Sequence, residues 1–135
     1  QDSLHMLMTC EPQIKEIGDL ISRTDVLLFG IGTAMRMADQ RHIADDVRKQ
    51  LIDNHAVGEA LGQYCDIEGK LIYSTNNIGL SLPDVVKVPN VIAVAGGQEK
   101  ANAIIGVMRA CQKGILIIDE QAAEGMRQLL QISAL

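Results

Sequence analysis

Aromatic side chains are nearly missing from this sequence of 135 residues, which carries one Phe (Phe29), two Tyr (Tyr64 and Tyr73) and no Trp. Proteins that hold single-stranded nucleic acid stack its bases on aromatic rings, so that class is excluded. Positive charge is short as well: 12 Lys and Arg face 17 Asp and Glu, a formal net charge of −5, which leaves no cationic field to hold a phosphate backbone. DNA is not an expected partner of this chain by itself. Long apolar runs are also lacking, since the longest, around Val26 to Met35, is interrupted by Gly30, Gly32 and Thr33 and falls far short of a membrane span. No membrane association is expected. Cysteines are few: Cys10, Cys65 and Cys111 are odd in number and far apart, without disulfide or zinc spacing. No signal-peptide pattern precedes them, so the cytoplasm is the expected compartment. His5, His42 and His55 have no ligand spacing to one another or to the cysteines, and there is neither a Gly-x-Ser-x-Gly elbow nor a cysteine at a glycine-rich helix start. No metal, cofactor or catalytic nucleophile is expected.

What remains is an ordinary globular composition, 47% apolar and 21% charged, in a length that makes one domain or the larger part of one. The sequence opens on Gln1 rather than Met, and its first ten residues read as the approach to a helix, so a longer parent chain is expected. Ile14, Ile17, Leu20 and Ile21 recur at helical spacing and predict a helix over 10–23. The run 25–30 is short and apolar, the pattern of a parallel strand covered on both faces. Short helices over 34–41 and 43–53 follow. Asp66-Ile67-Glu68-Gly69 is a turn between apolar flanks at 56–65 and 70–73, which predicts a hairpin. Ser81-Leu82-Pro83-Asp84 has capping-box spacing and starts a short helix to about Val86, ended by Pro89. Residues 91–95 and 115–118 read as buried strands, and Ala101, Ile104, Ile105 and Met108 share one face of the helix between them. Asp119 then caps a terminal helix with Ala122, Ala123, Met126, Leu129 and Leu130 on its core side. Strand, helix, strand, helix means a right-handed parallel crossover, hence an α/β fold.

In such folds ligands gather beyond the carboxyl ends of the strands. Two loops qualify. Gly30-Ile31-Gly32-Thr33 lets backbone approach a ligand and opens a helix, although position 35 is Met where a dinucleotide fingerprint has its third Gly; a plain tight turn is the alternative. Gly96-Gly97-Gln98-Glu99-Lys100 opens a strongly amphipathic helix and puts a lysine where the helix dipole disfavours a cation. An anionic ligand beside Lys100 would reverse that sign; a solvated Lys offset by Glu99 is the alternative. Glu59 stands alone among small and apolar residues, as a hydroxyl acceptor, a general base or an exposed strand residue.

Five blocks in this order resemble the effector-binding domain of SorC-family sugar-responsive transcriptional regulators: 26–32, 53–60, 77–82, 89–97 with Lys100, and 117–123. The resemblance covers nearly the whole chain from Glu11 onward, with Ile-Ala-Val-Ala-Gly-Gly and its Lys the most specific block. It implies a Rossmann-like, mainly parallel sheet with flanking helices and a β-hairpin insertion, similar to ribose-5-phosphate isomerase and CoA-transferase domains. Residues 1–135 would be the C-terminal portion of that effector domain, with the DNA-binding domain and the first part of the effector domain upstream. The implied effector is a phosphorylated sugar, with fructose 1,6-bisphosphate the leading candidate, and the implied role is repression of glycolytic genes. Carried over by position, Lys100 contacts a phosphate, Glu59 accepts from sugar hydroxyls, and Gly30, Gly32 and Thr33 line the pocket beside Gly96 and Gly97. The family also places a basic residue, a phosphate contact, after the following helix; here that position is Gln40, and the arginine, Arg41, stands one residue further on. The leading hypothesis is therefore a non-catalytic sensor in a homo-oligomer (dimer or tetramer) that reaches DNA only through the upstream domain. The alternative is a sugar-phosphate isomerase-like enzyme with Glu59 as base.

Overall fold

Short runs of branched apolar residues supply the parallel strands, and alternation along them decides which side chains enter the core. The computed structural model describes residues 10–75 and 77–131 together with Ser3 and Met6; the helical approach read over the first ten residues lies mostly outside them. In chain order the elements are α1 (Pro12–Ser22), β1 (Val26–Gly30), β2 (Gly32–Thr33), α2 (Ala34–Gln40), α3 (Asp45–Asp53), β3 (Gly58–Ala60), β4 (Gln63–Cys65) and β5 (Leu71–Ser74). A 3-10 turn (Pro83–Lys87), β6 (Asn90–Ala95), a second 3-10 turn (Gln98–Lys100), α4 (Ala101–Cys111), β7 (Ile115–Ile118) and α5 (Glu120–Leu130) complete the described chain.

β1, β6 and β7 form a parallel sheet in the order β1-β6-β7, in which Leu28 pairs with Ile92 and Ile92 with Ile115. One face, with Phe29, Val91, Ala93 and Ala95, joins Ile104, Val107 and Cys111 of α4 and Ala122 of α5 in the main core. The other face carries Val26, Leu28, Ile92, Val94, Ile115 and Ile117, and it is open among the described residues, with Leu28 66% and Ile115 64% exposed. Among the described residues α4 and α5 pack against the same side, so they supply one of the two covers expected for β1.

The second sheet is antiparallel, ordered β2-β3-β4-β5, and is larger than the expected hairpin. The β4–β5 hairpin turns where expected, with Asp66 Oδ1 accepting from the amides of Glu68 (3.0 Å) and Lys70 (2.9 Å). The flank 56–65 is not one strand, because a further two-residue hairpin joins β3 to β4 through Leu61 (φ 54°) and Gly62 (φ 78°). Two consecutive left-handed residues are what a two-residue hairpin with strand-matching twist requires; glycine meets this without strain at position 62, while Leu61 is anchored by packing on the core.

α4 runs between the two sheets, and seven of its eleven residues are buried, more than the one-sided amphipathic pattern expected. Its small residues allow the approach: a Cβ on Gly106 would meet the carbonyl oxygen of Asp66 at 2.5 Å. Against the far face of the antiparallel sheet, Ala34 and Ala38 of α2 and Leu51 of α3 enclose Tyr64. The capping box at Ser81 opens a 3-10 turn rather than an α-helix, with the Ser81 hydroxyl donating to Asp84 Oδ2 at 2.6 Å. α5 buries Ala122 and Gly125, whereas Ala123 is exposed, and Leu129 and Leu130 stay largely exposed because nothing described covers the last turn.

Candidate functional site

The chain leaves β1 at Gly30, is tied to β6 by the Ile31 amide donating to the Val94 carbonyl (3.2 Å), and crosses at once into β2 and α2. That crossing brings the carboxyl ends of the parallel strands beside the antiparallel sheet. A cavity of about 480 Å³ opens there, within the range of roughly 300–1,000 Å³ typical of small-molecule sites. Of the residues singled out in the sequence, Gly30, Gly32, Thr33, Arg41, Glu59 and Lys100 line it.

Glu59 lies on β3 directly opposite Gly32 of β2 and is 3% exposed, so it is no surface residue of a strand. A buried carboxylate needs partners, and its Oε1 accepts from the Gly62 amide at 2.7 Å and from Arg41 Nη2 at 3.1 Å. The tight β3–β4 hairpin presents that amide; Arg41, immediately after α2, supplies the countercharge. Tyr64 faces Glu59 across the β3–β4 pair, and its buried hydroxyl has no hydrogen-bond partner among the described residues. Burial above all, then the Glu59 charge, pushes the Tyr64 phenol above its ordinary range, which keeps it protonated.

Lys100 ends the 3-10 turn that leads into α4, half-buried and directed at the cavity. The cation therefore stands at the helix start, as expected, with no hydrogen bond or ion pair on its ammonium among the described residues. Gly96 and Gly97 do not join it on the cavity wall. The Gly97 amide instead donates to both oxygens of Asp119 (3.1 and 2.9 Å), and Asp119 also caps α5 by accepting from the Ala122 amide at 2.8 Å. A carboxylate already occupies the place an anion would take on that glycine turn.

Sequence reasoning missed Arg36 and Gln40, which line the same cavity. Their spacing, four apart on the helix that follows the Gly30–Thr33 loop, was the available signal, because i and i+4 share a helix face. With them the lining holds three cations, Arg36, Arg41 and Lys100, against the single carboxylate of Glu59, in a chain that is acidic overall. Such an arrangement favours an anionic ligand that also carries hydroxyls. Among the described residues no group of three or more His, Cys, Asp and Glu is placed to hold a metal ion, and no helix is long and apolar enough to cross a membrane. Burial pushes the Cys65 and Cys111 thiols up to about 12 and about 11, so both are inert protonated core residues.

Comparison with known proteins gives a consistent result. The family described as "Putative sugar-binding domain" matches residues 1–128. The Central glycolytic genes regulator of Bacillus subtilis is 37% identical over 114 residues, 84% of this chain and 34% of that protein. The protein of the same name from Priestia megaterium is 37% identical over 123 residues, 91% of this chain and 36% of its own length. Among solved structures, a "putative SorC family transcriptional regulator" from Enterococcus faecalis superposes with a TM-score of 0.81 at 39% identity, over 93% of this chain and 49% of that one. The chain thus spans about a third of the length of the curated relatives it matches and about half of that solved chain.

Proposed function

This chain belongs to the sugar-binding domain family, and from that premise we propose that it is the C-terminal portion of the effector-binding domain of a cytoplasmic transcriptional regulator that senses a phosphorylated sugar. Fructose 1,6-bisphosphate is the leading candidate, since the relatives named above are regulators of central glycolytic genes. The observation that carries the reading is the cavity beyond β1 and β6, where Lys100 at the start of α4, unpaired among the described residues, and a buried Glu59 line one space. Lys100 and the helix start act together on a phosphate, and Glu59 offers its carboxylate to sugar hydroxyls. DNA contact belongs to an upstream domain of the parent, which fits the net charge of −5 here. Upstream chain also covers the open sheet face, and the parent is a homo-oligomer whose contacts the effector biases by binding one arrangement more tightly than the other. The reading is of binding without turnover or cofactor: Glu59 is held by Arg41 and the Gly62 amide rather than poised as a base.

The test is calorimetric titration and thermal melting of the full-length protein with a panel of sugar phosphates. Occupancy at 100 times the dissociation constant stabilises by about 2.7 kcal/mol. Lys100→Ala is expected to weaken binding by about 1.5–3 kcal/mol, as for loss of a charged hydrogen-bond partner. Unchanged affinity in that variant, or no response to any sugar phosphate, refutes the assignment.

A further inference from the structure

We propose that Asn77, with Thr75 beside it, is a positioning residue for Glu59. The two hold the β3–β4 hairpin in the turn geometry that aims the Gly62 amide at the Glu59 carboxylate, and so fix that carboxylate at the cavity wall. The proposal rests on the reading of Glu59 as the acceptor of ligand hydroxyls, and it gives a task to the block 77–82, which that reading leaves without one.

Leu61 opens the turn at φ 54°, a left-handed value that strains a leucine and suits Asn or Gly. Such a conformation persists where the surroundings over-determine it. Packing on the core accounts for the Leu61 side chain, but the backbone of the turn needs partners as well. The β3–β4 pairing closes at Ala60 and Gln63, and the carbonyls of Leu61 and Gly62 lie beyond it. Both are held from outside the hairpin. Asn77 Nδ2 donates to the Leu61 carbonyl at 3.1 Å, while the amide and hydroxyl of Thr75 donate to the Gly62 carbonyl at 2.8 and 2.9 Å. Asn77 Nδ2 also donates to the Thr75 hydroxyl at 3.4 Å, which joins the two side chains. They close over Gly62, where a Cβ would overlap both.

The Leu61 carbonyl and the Gly62 N–H are opposite ends of one planar peptide group. Asn77 holds one end, and Glu59 Oε1, 2.7 Å from the Gly62 nitrogen, holds the other. Rotation of that plane would turn the amide away from Glu59 and bring a carbonyl oxygen toward a buried charge, a change the Asn77 contact opposes. An exposed asparagine thereby orients a buried glutamate. The far end of the same block is tied to the same hairpin, since the Leu82 amide donates to Oε1 of the buried Gln63 at 2.7 Å.

The experiment has two arms, both on the full-length protein. Without ligand, hydrogen exchange at the Gly62 amide should be faster in Asn77→Ala and Thr75→Val than in wild type. In calorimetric titration with the sugar-phosphate panel, fructose 1,6-bisphosphate first, the same variants should bind about three- to tenfold more weakly, as for loss of one hydrogen bond. Thr75→Ser, which keeps the hydroxyl, should recover most of that loss. On a Glu59→Gln background the two substitutions should cost less than about twofold, because the charge they orient is already gone; a merely structural role would cost as much there as in wild type. Unchanged exchange at Gly62 in both variants overturns the proposal, as does an equal loss of affinity on the Glu59→Gln background. Wild-type affinity in both variants, alongside weakened binding in Lys100→Ala, defeats this inference and leaves the sugar-phosphate reading standing. Absence of binding by any sugar phosphate to the wild type defeats both.

Discussion

Glu59 and Asp119 are both carboxylates near the strand ends, yet burial gives them opposite tasks. Glu59 is enclosed, so its charge is tolerable only beside Arg41 and the Gly62 amide. Asp119 is exposed and ties two loops together, accepting from Gly97 and Ala122, whose amides hold its carboxyl below the ordinary value of 3.8. A depressed native value means that the carboxylate adds stability above pH 3.8, and that the contribution disappears as pH falls through the native value. Asp84, lowered by Lys87 and Ser81, acts in the same direction, and Glu124 is held down to about 2 by Arg127 and Gln128. Asp119→Asn is therefore expected to melt at a lower temperature than wild type at neutral pH and to lose less on acidification, because an amide oxygen still caps α5 but carries no charge. Melting curves across the acid range check this; parallel loss in both proteins would contradict it.

At the scale of elements, α4 controls the fold because it must satisfy two sheets at once. Gly106 lies where the helix meets the carbonyl of Asp66, and no side chain fits between them. In an exposed helix interior, replacing Gly by Ala gains up to about 1 kcal/mol. Here Gly106→Ala is expected to lose about 1–3 kcal/mol through overpacking. Urea denaturation decides the sign, and a higher midpoint in the variant would refute the close approach. The helices and parallel strands were largely legible in the sequence, since period 3.6 and short apolar runs are local signals. The β3–β4 hairpin was not, because Leu61 takes a left-handed position that usually advertises itself with Asn, Asp or Gly. The cavity was legible as far as Gly30, Gly32, Thr33, Arg41, Glu59 and Lys100. Arg36 escaped because its one local signal, the i, i+4 spacing with Gln40 after the Gly30–Thr33 loop, is shared by every pair on a solvent-facing helix.

For the whole molecule, the decisive feature is the open face of the parallel sheet. Val26, Leu28, Ile92, Val94, Ile115 and Ile117 form a contiguous apolar surface, of a kind that parallel sheets cover. Gly30 and Val94 belong to this face and also line the cavity, so a segment covering the sheet would reach the cavity as well. In the full-length protein Leu28→Ala is expected to cost about 2–5 kcal/mol, the penalty of a core position. A change within about 0.5 kcal/mol, as for a surface position, would mean that the face stays open there.

The sequence by itself determined the α/β class, the order of the helices and parallel strands, and the lysine seated at a helix start, because each depends on periodicity or on neighbours a few residues away. Only the tertiary structure decided that Glu59 is buried, that Asp119 accepts from the Gly97 amide of the glycine turn, and that Arg36 and Lys100 share a cavity while Arg41 pairs with Glu59. Those facts depend on burial and on pairings between residues far apart in the chain, and neither leaves a trace in local pattern.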